Sequence, residues 1–265
     1  NYFKIIFFLG RSIYYFGFLL IIGWVIWWRI IQQYSPMVQK KYYLYGFVFQ
    51  IIHMIGLIFF YLIHENIITT KGIQLSEFFP FDLSFNCFWF IYFVGPLIGL
   101  FFLFKHSWFD LTWVLILIIC KSLIGHPSEF PTTLLLTFFN SIHIAAASIW
   151  VAGLLFIFLY WRKQKLTVKN FIHIFAEYVV FCMVVLAITG SSLAYIYLPD
   201  IYLFLQPWGL MIILKTLLVA ILAFFGIYMK QMNRISFEKW LYIQFVLMFT
   251  IIIFISIITY IQPIQ

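Results

Sequence analysis

Two histidines, His53 and His143, lie inside long apolar segments, where an ionisable side chain is costly and usually has a function. If those segments cross a membrane as helices, each ring lies roughly 15 Å from the outer end of its helix, at about 1.5 Å per residue. Two imidazoles at one depth can bind a metal ion or ligate a haem from both sides. A lone histidine can also simply hydrogen-bond a neighbouring helix.

Further metal-binding side chains flank these two. His64 follows His53 by three helical turns, so both fall on one helix face, and His126 stands where another apolar segment ends. Met183 and Met211 add thioethers, which favour Cu(I). Because these ligands are neutral, they can carry a soft monovalent ion through lipid without a second buried charge. The residues therefore favour metal handling, with His53, His64, His126, His143, Met183 and Met211 as candidate ligands.

Two charged residues lie within apolar segments as well. Lys215 is about 10 Å from the start of its segment, and Glu177 is six residues into another. We interpret both as candidates for charge balance or gating, because an ammonium in a membrane needs a partner or a polar cavity.

The composition indicates that most of this chain is surrounded by membrane lipid. Hydrophobic residues make up 65% and charged residues 9% of the sequence, and the mean hydropathy is +1.07, whereas soluble domains are about 25% charged. The net charge of +8 comes from bases between apolar segments rather than from a polar basic patch, so nucleic-acid binding is not expected. Three separate cysteines form no CxxC pair or disulfide pattern.

The sequence predicts an all-α, polytopic membrane protein, a bundle of about eight transmembrane helices. The apolar segments long enough for this role are 4–31, 43–63, 85–104, 108–125, 133–161, 171–198, 208–229 and 240–261. We divide the bundle into a three-helix region, 1–107, and a five-helix region, 108–265, within one integral membrane unit.

Charge asymmetry predicts the orientation of the helices. Basic residues concentrate on alternate connections, for example Lys40 and Lys41, whereas the intervening connections carry mostly acids, such as Glu129 and Asp200. Basic connections stay in the cytoplasm, so both termini are predicted outside.

Catalytic patterns are missing from the sequence. It has no GxSxG, no HExxH, no phosphate-binding glycine loop and no paired carboxylates at helical spacing. We therefore expect no enzyme activity.

An ordered set of short motifs runs through the C-terminal half. They are "GHPSEF" at 125–130, "IHIAAASIWVAGL" at 142–154, "FAEYVVFCMVVLAITG" at 175–190, "PWGLMIILK" at 207–215 and "NR" at 233–234. Together they resemble the CopD copper-resistance family, including the membrane part of YcnJ-type copper proteins. The resemblance implies copper movement across the bacterial plasma membrane, for uptake or tolerance. It also gives a structural role to Trp150, Gly153, Gly190 and Gly209, and implies that the ion arrives either free or from a separate extracytoplasmic copper-binding protein.

Two alternatives remain open at this stage. One is a b-type haem cytochrome with His53 and His143 as axial ligands, since the small residues after His143 suit a flat macrocycle. The other is a membrane factor that assembles a copper enzyme without transporting copper itself.

Overall fold

The structure, a computed structural model, describes residues 2–64, 86–123, 133–161, 165–197, 202, 205–229 and 234–258. Within these ranges the chain is helical and has no strands, which confirms the predicted all-α class. The eight helices of the described residues are α1 Tyr2–Ile31, α2 Pro36–His64, α3 Asn86–Phe102, α4 Ser107–Leu123, α5 Thr133–Tyr160, α6 Lys165–Tyr197, α7 Pro207–Met229 and α8 Arg234–Ile258. Each corresponds to one predicted apolar segment.

Five stretches of these helices are long and apolar enough to cross a membrane: Leu9–Ile31, Pro36–Phe59, Leu134–Tyr160, Thr167–Tyr197 and Glu238–Ile257. Two further apolar stretches in the described part, Phe90–Phe102 and Gly209–Phe224, are shorter than that. The chain is thus a multi-pass helical membrane protein, and the predicted number of eight spans stays a prediction.

Helix α1 occupies the centre of the bundle. It packs against α2, α4, α5 and α8, while the other helices pack mainly on their neighbours in sequence. Since α1 contacts helices on both sides of residue 107, the division at that residue does not separate two independent cores.

A close helix crossing joins α1 to α5. A Cβ atom at Gly23 would overlap the Ser148 carbonyl oxygen and would lie 2.6 Å from the Ala152 Cβ. The Trp27 indole then donates a hydrogen bond of 2.8 Å to the carbonyl of Ile149. Small residues on both helices allow this approach, as is common between membrane helices. The crossing fixes α5, and with it His143, against the centre of the bundle.

Candidate metal site at His143

The ring of His143 is held by α6. Its Nδ1 lies 2.9 Å from Thr189 Oγ1, and Thr189 in turn donates its hydroxyl proton to the Val185 carbonyl at 2.7 Å. Because that hydroxyl has one proton and uses it on Val185, it must accept from His143, so Nδ1 carries the hydrogen. In the neutral ring the lone pair is then on Nε2, which is the nitrogen left for a ligand.

Gly190 on α6 has no side chain, which leaves room for the imidazole. A Cβ atom at Gly190 would lie 3.4 Å from Cε1 of His143 and 3.9 Å from Nδ1. Thr189 therefore orients the ring and Gly190 lies against it. We name His143, Thr189 and Gly190 the His143 site.

Small residues continue the contact between α5 and α6 away from this site. Ala146 packs against Cys182 and Leu186, with Met183 at the edge of that cluster. Further along, a Cβ at Gly153 would overlap the ring of Phe175. Small residues on α5 thus let α6 approach closely along this contact.

An open groove lies on the other side of the His143 site, at the N-terminal end of α5 and the C-terminal end of α6. Its volume is about 460 Å³, and its lining residues are Leu135, Phe139, Ser191, Ser192, Tyr195 and Ile196. Phe139 is one helical turn from His143, and Ser191 follows Gly190 directly. The lining of the groove thus adjoins the His143 site along both helices. Neither the groove nor the hydroxyl of Thr189 was singled out as part of a site by the sequence.

Lys215 brings a positive charge to this region from α7. It is partly exposed and close enough for its charge to act on the His143 ring. Met211 lies one turn before it on the same helix and is also partly exposed. Glu177 is exposed on α6, and among the described residues no ion pair joins it to Lys215. The predicted pairing of an acid with Lys215 is thus not seen in this part of the chain.

The remaining predicted residues have varied positions. Trp150 is buried, and Gly209 is buried in the first turn of α7. His126 lies outside the described residues. His64 is the last residue of α2, and its side chain lies outside the described part as well.

His53 is not part of the His143 site. It is completely buried, and its ring lies against Tyr14 and Phe18 of α1 and Tyr92 of α3. Helix α1 packs against both α2 and α5 and so lies between the helices that carry His53 and His143. His53 and His143, which the sequence places at similar depth as a possible ligand pair, therefore lie on opposite sides of α1 in the described structure.

Within the described ranges, no three His, Cys, Asp or Glu side chains converge as a metal site would require. A metal at His143 would therefore take its other ligands from methionine, from residues outside those ranges, or from its carrier. No family model, no curated protein and no solved structure matches the chain.

Proposed function

We propose that this protein moves copper across the membrane, with Cu(I) passing His143. The observation that carries the proposal is the orientation of this ring, whose Nδ1–H is used by Thr189 and whose Nε2 is left for a ligand beside an open groove. Metal-binding histidines commonly donate their other N–H in this manner, which fixes both tautomer and ring.

The resemblance noted in the sequence supports the same assignment. His143 belongs to one of its motifs, while Thr189 and Gly190 close another, and in the fold the three residues touch. If the two motifs serve one binding site, their residues must lie together in the fold, as Thr189 and Gly190 do beside the His143 ring. Met183 on α6, Met211 on α7 and His126 are the candidates to complete the coordination.

The chemistry of Cu(I) fits so small a set of ligands. This ion accepts as few as two ligands, and imidazole and thioether both suit it. A histidine with one methionine, or with a ligand from a carrier protein, is therefore sufficient for transit. We take the groove as the entry side, which the charge pattern predicts to face outward.

Lys215 favours transient rather than long-lived binding of Cu(I) at the site. Its positive charge acts on the ring that would hold a cation, and like charges in a poorly screened interior repel. We therefore expect Lys215→Leu, which removes the charge without adding a thioether, to lengthen the retention of Cu(I) against a chelator. Lys105→Leu, at an exposed lysine in the turn between α3 and α4, is the matched control and should leave retention unchanged.

Copper flux into proteoliposomes tests the proposal. Vesicles with a trapped Cu(I) indicator and the purified protein should take up copper faster than protein-free vesicles. His143→Gln should remove this uptake, whereas His173→Gln, at an exposed histidine of α6, should not. The proposal is wrong if the wild-type protein gives no uptake above protein-free vesicles or if His143→Gln transports normally.

The same preparations distinguish the alternatives. A haem shared by His53 and His143 would give a Soret band in the purified protein, and we expect none, since α1 lies between the helices that carry the two rings. An assembly factor would leave copper uptake into cells unchanged by His143→Gln while maturation of a copper enzyme fails.

A further inference from the structure

A second polar cluster lies on the opposite side of α1 from the His143 site. Both ring nitrogens of His53 are buried without a hydrogen-bond partner in the described structure, and so is Oε1 of Gln50. His53 and Gln50 have exposures of 0% and 1%. They lie three residues apart, on one face of α2. Three orphaned polar atoms thus meet within about one helical turn.

Helix packing closes this cluster from the lipid. A Cβ at Gly17 would lie 2.6 Å from the backbone nitrogen of His53, and one at Gly56 would overlap the backbone of Tyr14. On the third side, Gln50 donates a hydrogen bond of 2.6 Å to the carbonyl of Pro96 in α3. His53 and Gln50 are therefore held between α1, α2 and α3.

Leaving such atoms unsatisfied is costly, because a buried polar group without a partner has lost its hydrogen bonds to water. A buried water normally makes about three hydrogen bonds to groups of this kind. Water fits the chemistry, because a neutral imidazole has one donor and one acceptor, while Gln50 Oε1 accepts only. The two nitrogens of one ring point in different directions, so a single water cannot satisfy both.

The groups around the ring also carry protons. The hydroxyls of Tyr14 and Tyr92 are hydrogen-bonded to each other, and both rings contact His53. From α4, the Lys121 ammonium lies 5.6 Å from the centre of the Tyr14 ring. Among the described residues, the titratable and charged groups packed around the cluster are Tyr14 and Tyr15 on α1, Tyr92 on α3, and Cys120 and Lys121 on α4.

A neutral imidazole between two waters can accept a proton on one nitrogen and release one from the other, which is how histidine acts as a proton shuttle.

We propose that His53 is a proton-relay group served by buried water, in a site formed with Gln50, Tyr14 and Tyr92 and separate from the His143 site. This role goes beyond the proposed copper function and does not depend on it. Two experiments test it: the first detects the bound water, and the second measures proton transfer.

X-ray radiolysis of bound water, which labels adjacent aromatic rings, detects the water directly. Tyr14, Tyr92 and Tyr42 are all completely buried. Tyr42 is the dry control, since its hydroxyl donates to the Trp24 carbonyl at 2.6 Å and its ring stacks on Trp24. We expect Tyr14 and Tyr92 to be labelled much faster than Tyr42. Equal rates for the three tyrosines would overturn the proposal.

Proton flux tests the relay. Proteoliposomes with a trapped pH indicator, in metal-free buffer, are given a potassium diffusion potential. The wild-type protein and His173→Gln should both conduct protons above protein-free vesicles. His53→Gln should not, since the glutamine amide can form hydrogen bonds but cannot relay a proton as an imidazole ring does. Wild-type flux at the protein-free level, or normal flux in His53→Gln, would overturn the relay.

A second variant keeps the proposal testable if His53→Gln fails to fold. Gln50→Leu removes one partner of the water and should reduce proton flux severalfold, and normal flux in a folded Gln50→Leu would also overturn the proposal. The results distinguish failure of this proposal from failure of the copper function. If the wild-type protein conducts protons but takes up no copper, only the copper function is contradicted.

Discussion

At the scale of single residues, His143 and His53 look alike in sequence and differ in structure. Both are ionisable rings within apolar helices, which is all that sequence can register. In the fold, His143 donates to Thr189, a residue 46 positions away, whereas His53 has no hydrogen-bond partner in the described part of the chain. The sequence predicted that both rings matter. It could not predict the tautomer of His143, because the acceptor depends on how α5 and α6 align.

Thr189→Val tests the orientation of the His143 ring. Valine has nearly the same shape as threonine but cannot accept the Nδ1–H, so the lone pair on Nε2 is no longer specified. Loss of such a supporting contact typically weakens metal binding by about 10–100-fold, and we expect the Kd for Cu(I), measured by competition with a chromophoric chelator, to rise accordingly.

Thr250→Val is the matched control for Thr189→Val. Thr250 lies on α8 and also donates its hydroxyl to a carbonyl one turn earlier, at 3.0 Å. Copper affinity should be unaffected in this variant. An equal loss in both variants would assign the effect to the loss of a threonine hydroxyl in general and not to the His143 ring.

At the scale of helices, sequence predicts segments well and their neighbours poorly. The ends of the described helices lie within a few residues of most predicted segments, because apolar runs bounded by polar connections are a strong signal. The partner of each helix is a different matter. Lipid tails are as apolar as leucine, so composition does not separate lipid-facing from helix-facing residues. The small residues beside His143 indicated close packing, yet Ser148 and Ala152 face α1 while Ala146 faces α6.

Gly23→Ala tests the central place of α1. The added methyl group would collide with the backbone oxygen of Ser148, which cannot move without shifting α5. Overpacking of this kind costs about 1–3 kcal/mol, and a lower thermal unfolding temperature in detergent should reveal it.

Gly95→Ala provides the comparison for Gly23→Ala. Its added Cβ would meet only the end of the Leu117 side chain, at 3.0 Å, and that side chain can rotate away. Its unfolding temperature should stay close to that of the wild type. A Gly23→Ala protein as stable as Gly95→Ala would contradict the close contact between α1 and α5.

At the scale of the whole molecule, α1 separates two polar sites. The His143 site lies between α5 and α6, and the cluster around His53 lies between α2, α3 and α1. Neither the centrality of α1 nor this separation follows from hydropathy. The charge pattern does predict the orientation, with the turn between α1 and α2 in the cytoplasm and the connection between α6 and α7 outside.

Cysteine labelling from outside intact cells tests this orientation. In a chain whose three cysteines are replaced by alanine, a membrane-impermeant maleimide should label Tyr202→Cys, at an exposed position between α6 and α7, and should not label Ser35→Cys, in the turn between α1 and α2. Labelling of Ser35→Cys alone would reverse the predicted orientation and place the groove on the cytoplasmic side.

The central claim is that His143 binds Cu(I) in transit, and the copper bound by the purified protein tests it most directly. Anaerobic titration with Cu(I) should show a site in the wild-type protein and in His173→Gln, and the loss of that site in His143→Gln. Unchanged copper binding in a folded His143→Gln protein would contradict the claim.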